Sequence, residues 1–290
     1  MRAYRLEQIR AGLVVGFVPT MGALHSGHIK LVKEAAKSSS VVIVSIFVNP
    51  TQFAPNEDFD QYPRTLENDL LALEKLDGIS TVVFAPTVRE MYPSLENLRD
   101  ILTKGTFVSV DGLSEQLEGS IRKTFFRGVA TVVTKLLVLV RPDFTVFGQK
   151  DIQQCIVVRR LAMDLLLEPG TIRVSETERD PIDGLALSSR NVYLTPEQRK
   201  HAPAVYRGLK RAKELFTNDK VVDSKKLIDC VLMETEKEGN EHFKFDYIKI
   251  SSSADLSDVQ NVGPEGAIMS CAWKMGTTRL IDNVLLGFSI

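Results

Sequence analysis

Two histidines three residues apart, His25 and His28, are separated by Ser26 and Gly27 and preceded by Met21, Gly22, Ala23 and Leu24. Two imidazoles at that spacing straddle a helix start, so both can face one phosphate chain, and Gly27 removes a side chain that would block a nucleotide. The segment follows an apolar run and precedes a helical rhythm, which places it where a strand turns into a helix. In an open parallel sheet that junction lies at the carboxyl edge, where ligands bind. The helix start adds unpaired N–H groups and a partial positive charge. This chemistry is charge stabilisation at a phosphate, and no Ser-His-Asp or Cys-His arrangement offers a covalent nucleophile.

Three other segments could serve the same chemistry. Gly148, Gln149, Lys150 and Asp151 form a second strand-to-helix junction, in which Lys150 is a point charge for phosphate. Gln154, a turn further on, can hydrogen-bond a neutral or carboxyl-bearing substrate. Leu187, Ser188, Ser189 and Arg190 follow Asp183 and Gly184 on a polar loop. Two hydroxyls and a guanidinium suit a triphosphate and its leaving pyrophosphate. Asn49 and Gln52 stand just beyond a β-branched run, and side-chain amides, which both donate and accept, suit a polyhydroxy acid.

These residues need a scaffold, and the hydropathy pattern supplies one. Apolar or β-branched runs at 13–18, 41–48, 81–84, 143–147 and 171–174 predict strands. Helical periodicity at 28–36, 66–76, 128–140 and 151–167 separates them. The helix at 128–140 is expected to stop at Arg141, because the residue before Pro142 avoids helical geometry. Alternating elements of this length predict a doubly wound α/β domain with a parallel sheet. From Asp183 the texture changes to helices at 196–216 and 225–237 and strands at 243–251, 267–273 and 279–281. The expected division is a catalytic domain over 1–182 and a small α+β domain over 183–290. Between Tyr92 and Phe126 the pattern offers only a short strand at 108–110 and a short helix at 113–118.

Composition removes several functional classes. The chain has 290 residues, and its formal net charge of -1 gives no support to binding nucleic acid or a membrane surface. Its three cysteines, Cys155, Cys230 and Cys271, form no CxxC pair, so neither a disulfide framework nor a structural zinc site is expected. No apolar run spans a bilayer and no signal pattern opens the chain, so a cytoplasmic protein is expected. Cys155 and Trp273 read as core, and Arg279 and Asp282 as a pair with each other or as contacts across a domain boundary.

The His-x-Gly-His turn resembles the signature of the nucleotidylyltransferase superfamily. The wider pattern resembles the pantoate–β-alanine ligases (the pantothenate synthetase family) across nearly the whole chain. It is carried by residues 19–28, 45–53, Tyr62-Pro63-Arg64, 126–129, 148–154, 184–191 and Arg279-Leu280-Ile281-Asp282-Asn283. The resemblance implies a Rossmann-like doubly wound parallel sheet with a smaller C-terminal α+β lid domain. It implies ATP as co-substrate, bound by residues 21–28, 148–151 and 187–190, with His28 and His25 acting at the phosphates. It implies that Gln52 and Gln154 hold pantoate, with β-alanine near Gln52, that Mg2+ comes with ATP, and that the active form is a homodimer. No protein metal ligand is assigned, because Asn68 interrupts the acidic cluster around Asp69.

Two departures from the family pattern stand out. Arg122-Lys123-Thr124-Phe125 replaces an Arg-Pro-Gly-His run, so Phe125 stands in place of a histidine. The loop from Arg179 to Gly184 is one residue longer than usual. An alternative with the same histidine motif is a nucleotidylyltransferase that adenylates a phosphorylated cofactor precursor. Gln52 and Gln154 favour a small hydroxy acid, because a phosphorylated partner would want more Arg and Lys. A third reading is a catalytically silent relative, to which Phe125 points and against which both histidines, Lys150, Ser188, Ser189 and Arg190 argue.

Overall fold

The computed structural model describes residues 1–54, 59–94, 100–167 and 172–290. The chain divides into two compact units, Met1–Gly148 with Gln153–Ser175 and Gln149–Ile152 with Glu176–Ile290.

The first unit is built on five parallel strands: β1 (Val15–Thr20), β2 (Val41–Ile46), β3 (Thr81–Phe84), β4 (Phe144–Gly148) and β5 (Ile172–Ser175). Their spatial order is β3-β2-β1-β4-β5. The order reverses between β1 and β4, so the switch point lies where Thr20 and Gly148 end their strands. Those two strands pair at Gly16–Phe144 and Phe17–Thr145, short of their carboxyl ends. Among the described residues, seven α-helices accompany the sheet: α1 (Arg2–Arg10), α2 (Ser26–Ala36), α3 (Leu66–Glu74), α4 (Val88–Met91), α5 (Glu118–Ile121), α6 (Phe125–Val140) and α7 (Ile152–Asp164). Val18, Val42, Val44, Phe144 and Val146 alternate onto one sheet face and pack with Val32 and Ala35 of α2.

The five strands and helices α2, α3, α6 and α7 fall where the pattern predicted, with one end of β5, Thr171, outside the described residues, whereas α4 was not foreseen. The differences have local causes. The strand expected at 108–110 is irregular chain outside the sheet, and 113–118 is mostly turn and bend, with α5 beginning only at Glu118. Helix α1 has no apolar stripe to betray it, and Leu6 and Ile9 are exposed. It is held by a buried arginine: Arg5 donates to the Arg141 carbonyl at 2.7 Å and to the Asp143 carboxylate at 2.8 Å. The same carboxylate accepts from Val15 N–H at 2.8 Å, which ties α1 to the start of β1. Helix α6 ends at Arg141 in a left-handed conformation (φ 46°), before Pro142.

The second unit joins α8 (Pro196–His201), α9 (Ala204–Asp219) and α10 (Ser224–Glu238) to the antiparallel strands β6 (Lys244–Ser251), β7 (Ala267–Met275) and β8 (Thr278–Leu286), ordered β6-β7-β8. The helix expected over 196–216 is two helices, because Pro203 has no N–H to give and caps α9. Gly208 lets α9 and α10 approach closely, since a Cβ there would stand 2.4 Å from Val231 Cα. Trp273 is 1% exposed and belongs to this core with Leu209, Leu227 and Met269. No helix among the described residues is long and apolar enough to cross a membrane.

Candidate active site

In the first unit the turn after β1 is built by side chains from its neighbours. Thr20 Oγ donates to the Ser45 carbonyl on β2 at 2.7 Å and accepts from Gly22 N–H at 3.1 Å. Gly22 has φ 84°, and a Cβ there would come within 3.0 Å of both Asp69 Oδ2 and Ile46 Cγ2, so only glycine fits. Ala23 follows with φ 51°. Asp69, buried at 2% exposure on α3, takes the N–H groups of Ala23 at 3.0 Å and Leu24 at 2.7 Å, and accepts from Thr65 Oγ at 3.3 Å. The carboxylate that the sequence places in a broken acidic cluster is thus a clamp on the turn.

The two histidines then make a reciprocal cap on α2. His25 is the N-cap residue, and its Nδ1 accepts from Gly27 N–H at 3.1 Å. His28 Nδ1 accepts from His25 N–H at 3.4 Å. The ring centroids are 4.1 Å apart and tilted by 41°. Since both Nδ1 atoms accept, a neutral ring must carry its proton on Nε2. The cap therefore selects the tautomer, and it turns two N–H donors away from the backbone at a helix N-terminus, an arrangement suited to a phosphoryl oxygen.

Beyond β2, Asn49, Thr51 and Gln52 are buried in a short 3-10 turn against α6. Gly128 of α6 permits that contact, because a Cβ would stand 2.2 Å from the Thr51 carbonyl oxygen. Asn49 Nδ2 donates to Gln52 Oε1 at 2.9 Å and to the Gly128 carbonyl at 3.2 Å. Gln154 lies half-buried on α7, whereas its neighbour Gln153 is spent on the fold. Gln153 Nε2 donates to the Leu113 and Gln116 carbonyls at 3.0 and 2.9 Å, and its Oε1 accepts from Glu118 N–H at 3.0 Å. Cys155 is fully buried, with its thiol 3.4 Å from the Gly148 carbonyl.

In the second unit, Lys150 sits on a 3-10 turn over Gln149–Asp151 with its Nζ 3.7 Å from Asp151 Oδ2. Asn283 of β8 holds that turn, donating to the Gln149 and Lys150 carbonyls at 2.9 and 3.0 Å and accepting from Gln149 Nε2 at 3.1 Å. The loop that carries Leu187, Ser188, Ser189 and Arg190 is closed by Leu187 N–H on the Glu178 carbonyl at 2.9 Å and by a bridge between Arg179 and Ala186. Ser188 Oγ then accepts from Arg190 N–H at 3.2 Å and caps the turn Ser189–Tyr193. Arg179 anchors the arrangement through two bonds to Asp282, at 2.6 and 2.8 Å, and lies 3.6 Å over the Tyr206 ring. Arg279 pairs with Asp246 at 2.7 Å, whereas Asp282 takes Arg179.

Each predicted site segment is therefore found at a strand end, helix start or capped loop. Asp69, Tyr92 and Asn283 support those segments and were not assigned a role from sequence. Asn283 lay inside the closing motif and Asp69 inside the interrupted acidic cluster, whereas Tyr92 lay in neither.

A five-stranded parallel α/β sheet whose first strand runs into a two-histidine helix cap is here the scaffold of a ligase. The family model for pantoate-beta-alanine ligase matches residues 1–285, and the chain belongs to that family. The chain is 44% identical over 290 residues to the pantothenate synthetase of Pelotomaculum thermopropionicum, covering 99% of this chain and 96% of that one. Pantothenate synthetase from Thermus thermophilus superposes with a TM-score of 0.83 at 40% identity, covering 97% of each chain. The pantoate-beta-alanine ligase from Francisella tularensis, solved as a complex with beta-gamma ATP and beta-alanine, gives a TM-score of 0.75 at 33% identity. That match covers 99% of this chain and 95% of that one.

Proposed function

We propose that this chain condenses pantoate with β-alanine to give pantothenate, using ATP and passing through a pantoyl adenylate. The observation that carries the mechanism is the histidine cap on α2, whose Nδ1 atoms both accept backbone N–H groups. A pantoate carboxylate oxygen attacks the α-phosphorus while the bond to the pyrophosphate oxygen breaks. The amine of β-alanine then attacks the acyl carbon, loses a proton and displaces AMP. Neither step needs a protein nucleophile; both need positioning and stabilised charge.

In this reading His28 and His25 donate to the α-phosphate region, with Met21, Gly22, Ala23, Leu24, Ser26 and Gly27 shaping the ATP-binding turn. Gly148, Gln149, Lys150 and Asp151, with Leu187, Ser188, Ser189 and Arg190, serve the same nucleotide. Gln52 and Gln154 hold pantoate. Mg2+ enters with the triphosphate, since the buried Asp69 already accepts from Ala23, Leu24 and Thr65. A homodimer in the cytoplasm completes the proposal, and light scattering of the purified protein tests the dimer.

The deciding experiment is product analysis with ATP, Mg2+, pantoate and β-alanine, each omitted in turn. Free AMP, pyrophosphate and pantothenate formed only from the full set are expected. Pyrophosphate limited to about one turnover without β-alanine would mark the adenylate. AMP left attached to product, or no turnover with pantoate, would refute the ligase reading.

A further inference from the structure

We infer that Tyr92 is a positioning residue for substrate recognition, because its hydroxyl, with the Gly128 carbonyl, holds the Asn49 carboxamide that sets the direction in which Gln52 faces. The inference rests on the proposed contact between Gln52 and pantoate.

The reasoning starts from a group that can only accept. The Gly128 carbonyl lies 3.2 Å from one side-chain terminus of Asn49, so that terminus is the NH2 group. The other terminus, Oδ1, then faces Tyr92 O–H at 2.7 Å and Thr51 O–H at 3.0 Å. Tyr92 donates its single proton here, and the one Thr51 proton is shared among Asn49 Oδ1, the Tyr92 oxygen at 3.1 Å and the Gly128 carbonyl at 3.4 Å. The same Asn49 NH2 group reaches Gln52 at 2.9 Å, so the Gln52 atom that meets it is Oε1. The Gln52 NH2 group is thereby turned away from this cluster. Among the described residues, no protein group accepts from it.

The consequence for a substrate is one of sign. A hydroxy acid carboxylate or hydroxyl oxygen meets a donor at Gln52, whereas a reversed carboxamide would present an acceptor. Asn49 is 1% exposed and has both side-chain termini bonded inside the protein, so it acts through Gln52. Tyr92 closes the far end. Its ring packs 6.5 Å from Phe47 and lies beneath Lys135 Nζ at 3.8 Å, with Lys135 also donating to the Met91 carbonyl at 2.7 Å. Burial pushes the Tyr92 phenol up to about 12, so the proton it donates stays in place across the working pH range.

Steady-state kinetics of Tyr92→Phe, Gln52→Ala and the double variant test the inference, with pantoate and ATP varied separately. Tyr92→Phe keeps the ring and its packing, so it is expected to fold. It should raise KM for pantoate about tenfold, the size of one lost directed hydrogen bond to a charged group, and leave KM for ATP unchanged. In the Gln52→Ala background the same change should have no further effect, because the amide being directed is gone. An unchanged pantoate KM in Tyr92→Phe would overturn the positioning role, and so would an equal rise in both backgrounds. If Gln52→Ala itself leaves pantoate KM unaltered, the contact between Gln52 and pantoate fails, and the role of Tyr92 fails with it. A pantoate KM that responds to Gln52→Ala but not to Tyr92→Phe removes the role of Tyr92 alone.

Discussion

The guanidinium of Arg122 lies 3.8 Å from the centroid of the Phe125 ring and donates to the Gln52 carbonyl oxygen at 3.0 Å. Phe125 is where the family pattern has a histidine, and here it is the platform for an arginine that grips the backbone of a proposed substrate residue. A cation over an aromatic face contributes about 0.5–1 kcal/mol at an exposed site. Phe125→His should leave pantoate KM near the wild-type value at pH 8. Below about pH 6.5 the new imidazole gains charge beside Arg122 and the pair repels. A several-fold rise in pantoate KM at pH 6, absent from the wild type, is the expected result of pH-resolved kinetics.

His28→Ala removes a proposed donor to the phosphate and the acceptor for His25 N–H. Loss of one transition-state donor costs roughly 10²–10³ in rate. Loss of the cap costs about 0.5–2 kcal/mol in stability. Pyrophosphate release should fall by that factor, while thermal unfolding shows a cooperative protein with a modestly lower Tm. Turnover close to wild type would remove the assigned role.

Asp69→Ala should behave as the loss of a clamp, not of a metal ligand. It leaves the Ala23 and Leu24 N–H groups without their acceptor, at about 1–3 kcal/mol for each donor left buried and unsatisfied. A lower Tm and a raised KM for ATP are expected, and added Mg2+ should restore neither. Rescue of activity by millimolar Mg2+ would show that the carboxylate serves the metal.

His201 predicts a pH dependence confined to the second unit. Glu197 and Glu238 bind its two ring nitrogens at 2.8 and 2.7 Å, and these hydrogen bonds, Glu197 first, raise its pKa above the ordinary value. A raised folded pKa favours the protonated ring in the native state. Its stabilisation is therefore complete below the unfolded value of about 6.5 and disappears as pH climbs through the higher folded one. Thermal melts should show a loss of stability over that window in the wild type and a flatter profile in His201→Gln.

The parallel sheet was legible because its central strands are buried on both faces and read as apolar, β-branched runs, as at Val41–Ile46. The site was legible where chemistry and chain geometry coincide, as in the two histidines, whose spacing is also that of a capping box. What sequence hid was support from a distance. Asp69 reads as part of an interrupted acidic cluster, yet it binds amides 45 and 46 positions away. Tyr92 meets Asn49 across 43 positions, and Arg5 meets Asp143 across 138. Periodicity cannot report such pairs, because it records which face of an element is apolar and not which partner the face will meet.

Residues Gln149–Ile152 belong with the second unit, although the strand before them and the helix after them belong to the first. The chain therefore passes from one unit to the other after Gly148, after Ile152 and again after Ser175. A module joined at one end can be exchanged between proteins as a cassette, with a single junction to repair. This one has an outpost inside its neighbour's loop between β4 and α7, and the Asn283 amide is bonded to it. Recombination that swapped only the C-terminal portion would inherit a mismatched loop, so the two units are expected to share one evolutionary history.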